Sequence, residues 1–142
     1  MDIVERRIAN RYQVNLPAVL STVTGEALKA QVSNISISGL HIVINNADLP
    51  MLLPNNDREF KIETVAVGIN MLLPPPFKPV EVNLGIVYLK RVSMHQTGVG
   101  CRFESFVGQS SRTLFEYILH LENNSASNYA EQPSLNITDT GE

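Results

Sequence analysis

The chain has 142 residues, of which 44% are hydrophobic and 18% are charged, and its formal net charge at pH 7 is −3. This length suits one domain with a single hydrophobic core. No run approaches the ~20 consecutive apolar residues of a membrane span, and the start of the chain carries charge where an export signal needs an apolar stretch. We therefore expect a globular cytoplasmic protein that does not insert into membranes.

Strand patterns dominate the sequence as far as residue 104. Short runs rich in Val, Ile, Leu, Thr and Tyr are separated by Gly, Pro, Asn and Ser, which is typical of a mostly-β domain. Alternating apolar residues predict six strands, at residues 14–23, 28–33, 40–44, 60–71, 80–88 and 99–103. Pro17 indicates an edge strand or a bulge, because proline cannot donate to a sheet ladder. A change of phase near Thr64 indicates a further bulge.

The segments between the strands carry turn signals. The sequence Thr24-Gly25-Glu26 predicts a hairpin turn between the first two strands. Residues 45–57, rich in Asn and Pro, are typical of a surface loop, and the consecutive prolines at 74–76 end the fourth strand. Strands joined by such short connections either close into a barrel or stack as a sandwich.

A single helix is predicted after the strands. Apolar residues recur at helical spacing over residues 114–121, and Ser110 or Ser111 is suited to cap the helix start. The polar sequence that follows lacks the apolar content that would offset the entropy of ordering. The chain therefore divides into a flexible arginine segment at 1–11, a folded domain at 12–122 and a disordered tail at 123–142.

Two segments stand out beside the predicted strands. Arg6, Arg7 and Arg11 precede the first strand, and the segment Asn34–Gly39 connects the second and third, so both could meet at one end of the domain. In order and spacing this pair resembles the signature of the PilZ family, Arg-Arg-x-x-x-Arg followed by Asp/Asn-x-Ser-x-x-Gly. The resemblance extends over residues 5–121. It implies a six-stranded antiparallel β-barrel of the split-barrel type with one C-terminal α-helix, and a receptor for cyclic di-GMP.

The arginines match the chemistry of that nucleotide. Cyclic di-GMP carries two phosphodiesters and two guanines, and a guanidinium group forms paired hydrogen bonds with phosphate oxygens or with the O6/N7 edge of guanine. Arginine also stacks on purines, which lysine cannot do. Arg6, Arg7 and Arg11 are therefore the predicted ligand-binding cations. By family analogy, the second arginine at position 6 implies a ligand bound as an intercalated dimer.

The turn supplies directional groups to the same predicted site. Asn34 and Ser36 are expected to contact a guanine edge or the backbone of the turn. Gly39 has no side chain to block a close approach, and it tolerates the positive φ that such a turn can require. Ser38 and Tyr88 are minor candidates. The family often has an aromatic residue near a purine at the place of Tyr88, whereas the alternation of this strand predicts a core tyrosine.

The resemblance implies a signal receptor rather than an enzyme. The arginine segment would fold over the ligand, and an unidentified downstream protein would recognise the changed surface. We expect no catalytic residues, no cofactor and no metal site. His41, His95 and His120 have no ligand-like spacing and are interpreted as surface or hydrogen-bonded histidines. Cys101 is interpreted as a small buried hydrophobic residue.

Two other functions compete with the receptor. Asn34 stands where many family members carry aspartate, which removes a carboxylate acceptor for guanine N–H groups. This favours a degenerate PilZ-like adaptor that binds other proteins but no nucleotide. A small barrel can also bind single-stranded nucleic acid, but the pI of ≈ 5.6 and the absence of tryptophan argue against that partner.

Overall fold

A computed structural model describes residues 10–53 and 65–131 of the chain. Within these ranges the strands are β1 (Tyr12–Ser21), β2 (Ala27–Ile35), β3 (Gly39–Asn45), β4 (Ala66–Met71), β5 (Val80–Arg91) and β6 (Gln96–Phe106). All neighbouring strands are antiparallel, and they close into a barrel in the order β1-β2-β3-β6-β5-β4. This confirms the predicted six-stranded barrel and excludes the sandwich. The first part of the predicted fourth strand lies outside the described residues.

Alternate residues of the strands point into the barrel and form the hydrophobic core. The pattern follows from the pleat of a β-strand, in which successive side chains point to opposite faces. The largest fully buried side chains are Leu20, Ile35, Leu40, Ile42, Ile44, Leu52, Ile69, Met71, Leu84, Ile86, Val32 and Val80. Cys101 is also buried, as predicted, and burial raises the pKa of its thiol to about 12. The thiol is therefore protonated at neutral pH.

Three register shifts lie close to one another on the barrel wall. They fall between Gln13 and Leu16 in β1, between Val32 and Asn34 in β2, and between Ile86 and Tyr88 in β5. Such a bulge inserts an unpaired residue, which turns the following side chains to the opposite face of the sheet. In β2, Val32 is consequently buried while Asn34, two positions later, is partly exposed. The bulge predicted near Thr64 lies outside the described residues.

Pro17 lies within the barrel wall rather than on an edge strand, because β1 pairs with both β2 and β4. The prediction of an edge was therefore wrong, whereas a bulge does precede Pro17. The pairing with β4 begins at Ala18, and the carbonyl of Pro17 accepts a hydrogen bond from the N–H of Leu72 at 3.1 Å. The N–H and C=O of a strand residue point to the same side. The backbone N–H group that Pro17 lacks would therefore lie at the end of the β1–β4 ladder.

The first half of the predicted surface loop is instead helical. A 3₁₀ turn (Asn46–Asp48) leads into a short helix, α1 (Leu49–Leu52). The side chain of Asn46 donates a hydrogen bond to the carbonyl of Met94 at 3.0 Å, and Leu52 is buried in the core. Composition misled the prediction here, because the asparagine anchors the segment to the β5–β6 turn and the leucine completes the core. The end of the predicted loop lies outside the described residues.

The last element is helix α2 (Ser110–Glu131), which contacts β5. Leu114 and Ile118, one helical turn apart, are buried against the barrel. The Ser110 hydroxyl accepts a hydrogen bond from the backbone N–H of Glu81 at 2.8 Å, so the serine predicted to cap the helix joins it to β5 instead. In the described part of the chain, no helix is long and apolar enough to span a membrane.

Helix α2 ends later than predicted. The domain boundary expected at residue 122 falls inside it, and its backbone continues to Glu131. Residues 123–131 contain neither glycine nor proline, so local backbone chemistry does not stop the helix at the predicted place. The rest of the predicted tail, residues 132–142, lies outside the described residues, as does the arginine segment up to residue 9.

Gly39 lies where the backbones of β3 and β6 are in close contact. A Cβ atom there would collide with the carbonyl oxygen of Cys101 and lie 3.1 Å from the Cα of Arg102. Because the backbone of a closed barrel cannot move aside easily, we expect Gly39→Ala to lower the free energy of unfolding by about 2 kcal/mol. The matched control is Gly68→Ala, since a Cβ at Gly68 meets its nearest neighbour at 3.7 Å. Equal urea midpoints for the two variants would contradict this prediction.

Candidate functional site

The turn between β2 and β3 is held together by the hydroxyl group of Ser36. Ser36 is 1% exposed, and its Oγ accepts hydrogen bonds from the backbone N–H groups of Ser38 and Gly39, both at 3.3 Å. The N–H of Ser36 donates in turn to the carbonyl of Gly39 at 2.8 Å. A buried hydroxyl with these partners stabilises the turn. Of the two contacts predicted for Ser36, the structure therefore contains the one with the backbone.

Gly39 is required by close packing rather than by an unusual backbone angle. Gly25, in the predicted hairpin turn, and Gly108 have positive φ angles of 90° and 60°. Gly39 is instead a strand residue paired with Arg102 on β6. Of the two reasons that the sequence offered for this glycine, the structure supports a close approach, and the approaching group is the protein's own backbone.

The two predicted motifs meet at the paired ends of β1 and β2. Tyr12 pairs with Ile35, and the Nη1 of Arg11 donates a hydrogen bond to the Oδ1 of Asn34 at 2.7 Å. Arg11 is exposed and Asn34 is partly exposed, so both are accessible to a ligand. Exposed hydrogen bonds exchange readily with water or with an anion. Arg6 and Arg7 lie outside the described residues, and their contribution stays a prediction.

A row of directly paired residues crosses the outer surface of the barrel from this point. Asn34 pairs with His41, His41 pairs with Gly100, and Gly100 pairs with Tyr88. Directly paired residues of antiparallel strands project to the same face of the sheet. We call Asn34, His41, Gly100 and Tyr88 the outer row. It extends the meeting point of the two motifs across β3 and β6 to β5.

Tyr88 belongs to the outer surface and not to the core. Its alternation with Leu84 and Ile86 predicted a core tyrosine, but Tyr88 is 44% exposed, whereas Leu84 and Ile86 are fully buried. The bulge between Ile86 and Tyr88 adds a residue and turns the tyrosine outwards. The core prediction was therefore wrong. As a result, this minor ligand candidate lies on the same surface as Asn34.

Two glycines of β6 allow the rings of His41 and Tyr88 to lie against the sheet. A Cβ atom at Gly100 would overlap the ring of Tyr88, and one at Gly98 would come within 2.6 Å of the Cε1 of His41. The two ring centroids are 6.1 Å apart, and the ring planes are inclined by 35°. We call this pair of rings the aromatic floor. Sequence reasoning missed it, although glycines two residues apart in a strand do signal a close approach on one face.

His41 is positioned by Ser33, the additional residue of the β2 bulge. The Nδ1 of His41 lies 2.7 Å from the Oγ of Ser33. The pKa of His41 is lowered, first by partial burial and then by the positive charges of Lys90 and Arg11. The imidazole is therefore neutral at pH 7. The same two cations give this side of the barrel a local positive charge.

Outside this meeting point, the described residues contain hollows but no metal-binding cluster. Among residues 10–53 and 65–131, no group of three His, Cys, Asp or Glu side chains could hold a metal ion. A hollow of ≈ 340 Å³ is lined by Ser21, Gly68 and Asn83 among others, and none of the predicted site residues lines it. The meeting point of the two motifs is therefore the best-supported candidate site.

The chain is similar to proteins of known structure and to one protein family. A family model described as the PilZ domain matches residues 5–120. The PilZ domain of YcgR from Escherichia coli, determined with c-di-GMP, has a TM-score of 0.60 and 12% identity, covering 89% of this chain and 98% of that one. Inhibitor of motility (MotI/DgrA) from Bacillus subtilis has a TM-score of 0.60 and 14% identity, covering 84% and 52%. MrkH of K. pneumonia in its apo state has a TM-score of 0.63 and 12% identity, covering 86% and 53%.

These comparisons differ in what they establish. At such low identities the likeness to solved structures establishes the barrel fold alone. The chain spans about half the length of MotI/DgrA and of MrkH, so the activities of those whole proteins do not transfer to it. No curated protein sequence matches the chain significantly. The family model, in contrast, covers most of the chain, including both predicted motifs.

The charges around His41 give a prediction that NMR can check. Replacing Arg11 or Lys90 with alanine removes a positive charge that disfavours the imidazolium form, so either variant should raise the pKa of His41. Lys29→Ala, at the far end of β2, should leave it unchanged. An NMR titration of the imidazole resonances measures all three variants. An unchanged His41 pKa in both Arg11→Ala and Lys90→Ala would show that the proposed electrostatic cause is wrong.

Proposed function

Because this chain belongs to the PilZ domain family, we propose that it is a receptor for cyclic di-GMP, bound where the arginine segment meets the Asn34–Gly39 turn. The hydrogen bond between Arg11 and Asn34 carries the proposal, since it joins one residue from each motif on the outer surface. The similar structures of YcgR and MrkH include c-di-GMP complexes, which supports the choice of ligand. PilZ domains are effector domains rather than enzymes, so we propose no chemistry on the nucleotide.

The arginines bind the phosphodiesters and the guanine edges of the ligand. The guanidinium of Arg11 exchanges the amide oxygen of Asn34 for a phosphodiester or for the O6/N7 edge of a guanine. Arg7 is four residues earlier, and an extended chain spans at most ~3.6 Å per residue, so its Cα lies within ~14 Å of that of Arg11. Arg6 is within similar reach. The two adjacent arginines support binding of an intercalated ligand dimer, that is, two molecules of cyclic di-GMP per chain.

The turn contributes both contacts and shape. When Arg11 turns towards the ligand, the amide group of Asn34 is released and becomes available to a guanine edge. Ser36, Ser38 and Gly39 hold the turn in place through their mutual hydrogen bonds. The contribution of Ser36 and Gly39 to binding is then largely indirect, because both are buried. Tyr88, exposed on the outer row, contacts a base.

Ligand binding changes the surface that a downstream protein meets. In the structure, Arg11 is bonded to Asn34. With ligand, we propose that residues 1–11 become ordered against the barrel, and that a protein partner recognises the combined surface of segment, nucleotide and turn. The two arrangements of the arginine segment are in equilibrium. The ligand can shift that equilibrium only to the extent that it binds the ordered arrangement more tightly than the other. We further propose a cytoplasmic location, where a nucleotide messenger is available.

Isothermal titration calorimetry with cyclic di-GMP tests the site directly. We expect Arg7→Ala and Arg11→Ala each to weaken binding about 10- to 100-fold, because hydrogen bonds to a charged group contribute ~1.5–3 kcal/mol. Lysine at either position should restore only part of the affinity, since an ammonium group cannot form the paired contacts of a guanidinium. GMP should bind far more weakly, because it offers one base and a single phosphate.

Lys29→Ala is the charge-matched control for these variants. It removes one positive charge from the opposite end of β2, so the affinity for cyclic di-GMP should not change. Unchanged affinity in both arginine variants would refute the proposed site. A wild-type protein that ignores cyclic di-GMP but still retains a protein partner would instead favour the adaptor function.

A further inference from the structure

We propose that His41 is a base-stacking residue of this site, and that it forms with Tyr88 the surface on which a guanine base of the ligand lies. This inference rests on the proposed function and adds a residue that belongs to neither sequence motif. It concerns the aromatic floor, whose two rings belong to the outer row, with His41 on β3 and Tyr88 on β5. Four separate observations support it.

The first observation is position. His41 is paired directly with Asn34, and neighbouring strands lie about 4.8 Å apart. Asn34 in turn accepts the hydrogen bond of Arg11. A nucleotide whose phosphodiester is held by Arg11 therefore has His41 within reach of its base. Tyr88 follows two strands further along the same row.

The second observation is shape. Both rings lie against backbone that carries no side chains, since a Cβ at Gly98 or Gly100 would displace the ring above it. The two ring centroids are 6.1 Å apart and the ring planes are inclined by only 35°, so the rings are close neighbours at a moderate inclination. A bicyclic purine is flat and wide enough to contact both rings at once. Aromatic platforms of this kind bind bases through their π-faces.

The third observation is rigidity. The Ser33 hydroxyl, only 2.7 Å from the Nδ1 of His41, limits rotation of the imidazole. Ser33 itself is fixed as the additional residue of a bulge between two paired positions. A ring that is already oriented loses little conformational entropy when a base stacks on it. This arrangement favours a binding role over that of a freely rotating surface histidine.

The fourth observation is the charge around the floor. Lys90 on β5 and Arg11 just before β1 both act on His41, so the floor lies close to two positive charges. An anionic dinucleotide is attracted there, while the neutral imidazole keeps an uncharged face towards the base. Tyr88 supplies a second ring that is 44% exposed and available for contact. Ring faces and cations are thus combined beside Asn34.

Calorimetric titration of His41 variants with cyclic di-GMP tests the proposal. Because stacking of a base on an aromatic side chain contributes ~1–3 kcal/mol, His41→Ala should weaken binding about tenfold. His41→Phe keeps a ring and should stay within about threefold of the wild type, whereas His41→Asn keeps a polar group without a ring and should resemble His41→Ala. His95→Ala, in the exposed β5–β6 turn, is the matched histidine control and should bind normally.

The variants separate the possible failures. If His41→Asn binds normally and His41→Phe does not, His41 acts as a hydrogen-bonding group and stacking is overturned. If Arg11→Ala loses affinity while His41→Ala behaves like His95→Ala, the inference fails but the proposed function stands. If the wild-type protein does not bind cyclic di-GMP, both fail together. Urea midpoints of all variants show whether any loss of affinity comes from unfolding.

A spectroscopic measurement provides a second, independent test. When a guanine stacks on the imidazole, the ring current of the guanine should shift the resonances of the carbon-bound ring protons of His41 upfield. The corresponding resonances of His95 should not shift. Gly98→Ala lifts the His41 ring without changing its chemistry, so it should reduce both this shift and the affinity. Saturating ligand without a shift at His41 would overturn the proposal, whatever the calorimetric result.

Discussion

Closure of the barrel determines which side chains this protein can present to a ligand. Every strand is paired on both sides, so simple alternation assigns each residue either to the core or to the surface. Only a bulge, which inserts an additional residue in one strand, can change which face a side chain occupies. Bulges in β1, β2 and β5 provide such residues along one part of the wall. They turn Asn34 and Tyr88 outwards while their neighbours continue to fill the core.

The turn after β2 contains two kinds of residue, and the distinction matters for its function. Ser36 and Gly39 are buried, and their interactions are with the turn itself and with β6. Asn34 is accessible and bonded to Arg11. One short segment thus combines buried scaffold residues with an accessible residue of the proposed site. We expect substitution of the first kind to alter the shape of the proposed site, and substitution of the second kind to alter its chemistry.

Periodic features of the fold were predictable from the sequence, and features that depend on strand neighbours were not. Burial of one face leaves a period of two in strands and about 3.6 in helices, which is why the six strands and the final helix were recognised. A bulge has no period, so Tyr88 was assigned to the wrong face. The relation of His41 to Gly98 and Gly100 exists only because β3 and β6 are adjacent, although they are distant in sequence. Composition failed for residues 46–52, whose partners lie on other elements.

Cys101 is the only cysteine of the chain, and its thiol is buried in the barrel with a pKa of about 12. The native protein is consequently almost inert to maleimides and other reagents that attack thiolates at neutral pH. A cysteine introduced near the arginines, for example by Ala9→Cys, would then be the single labelled position without any need to remove the natural one. A fluorophore or spin label attached there would report whether the surroundings of the N-terminal residues change when cyclic di-GMP is added.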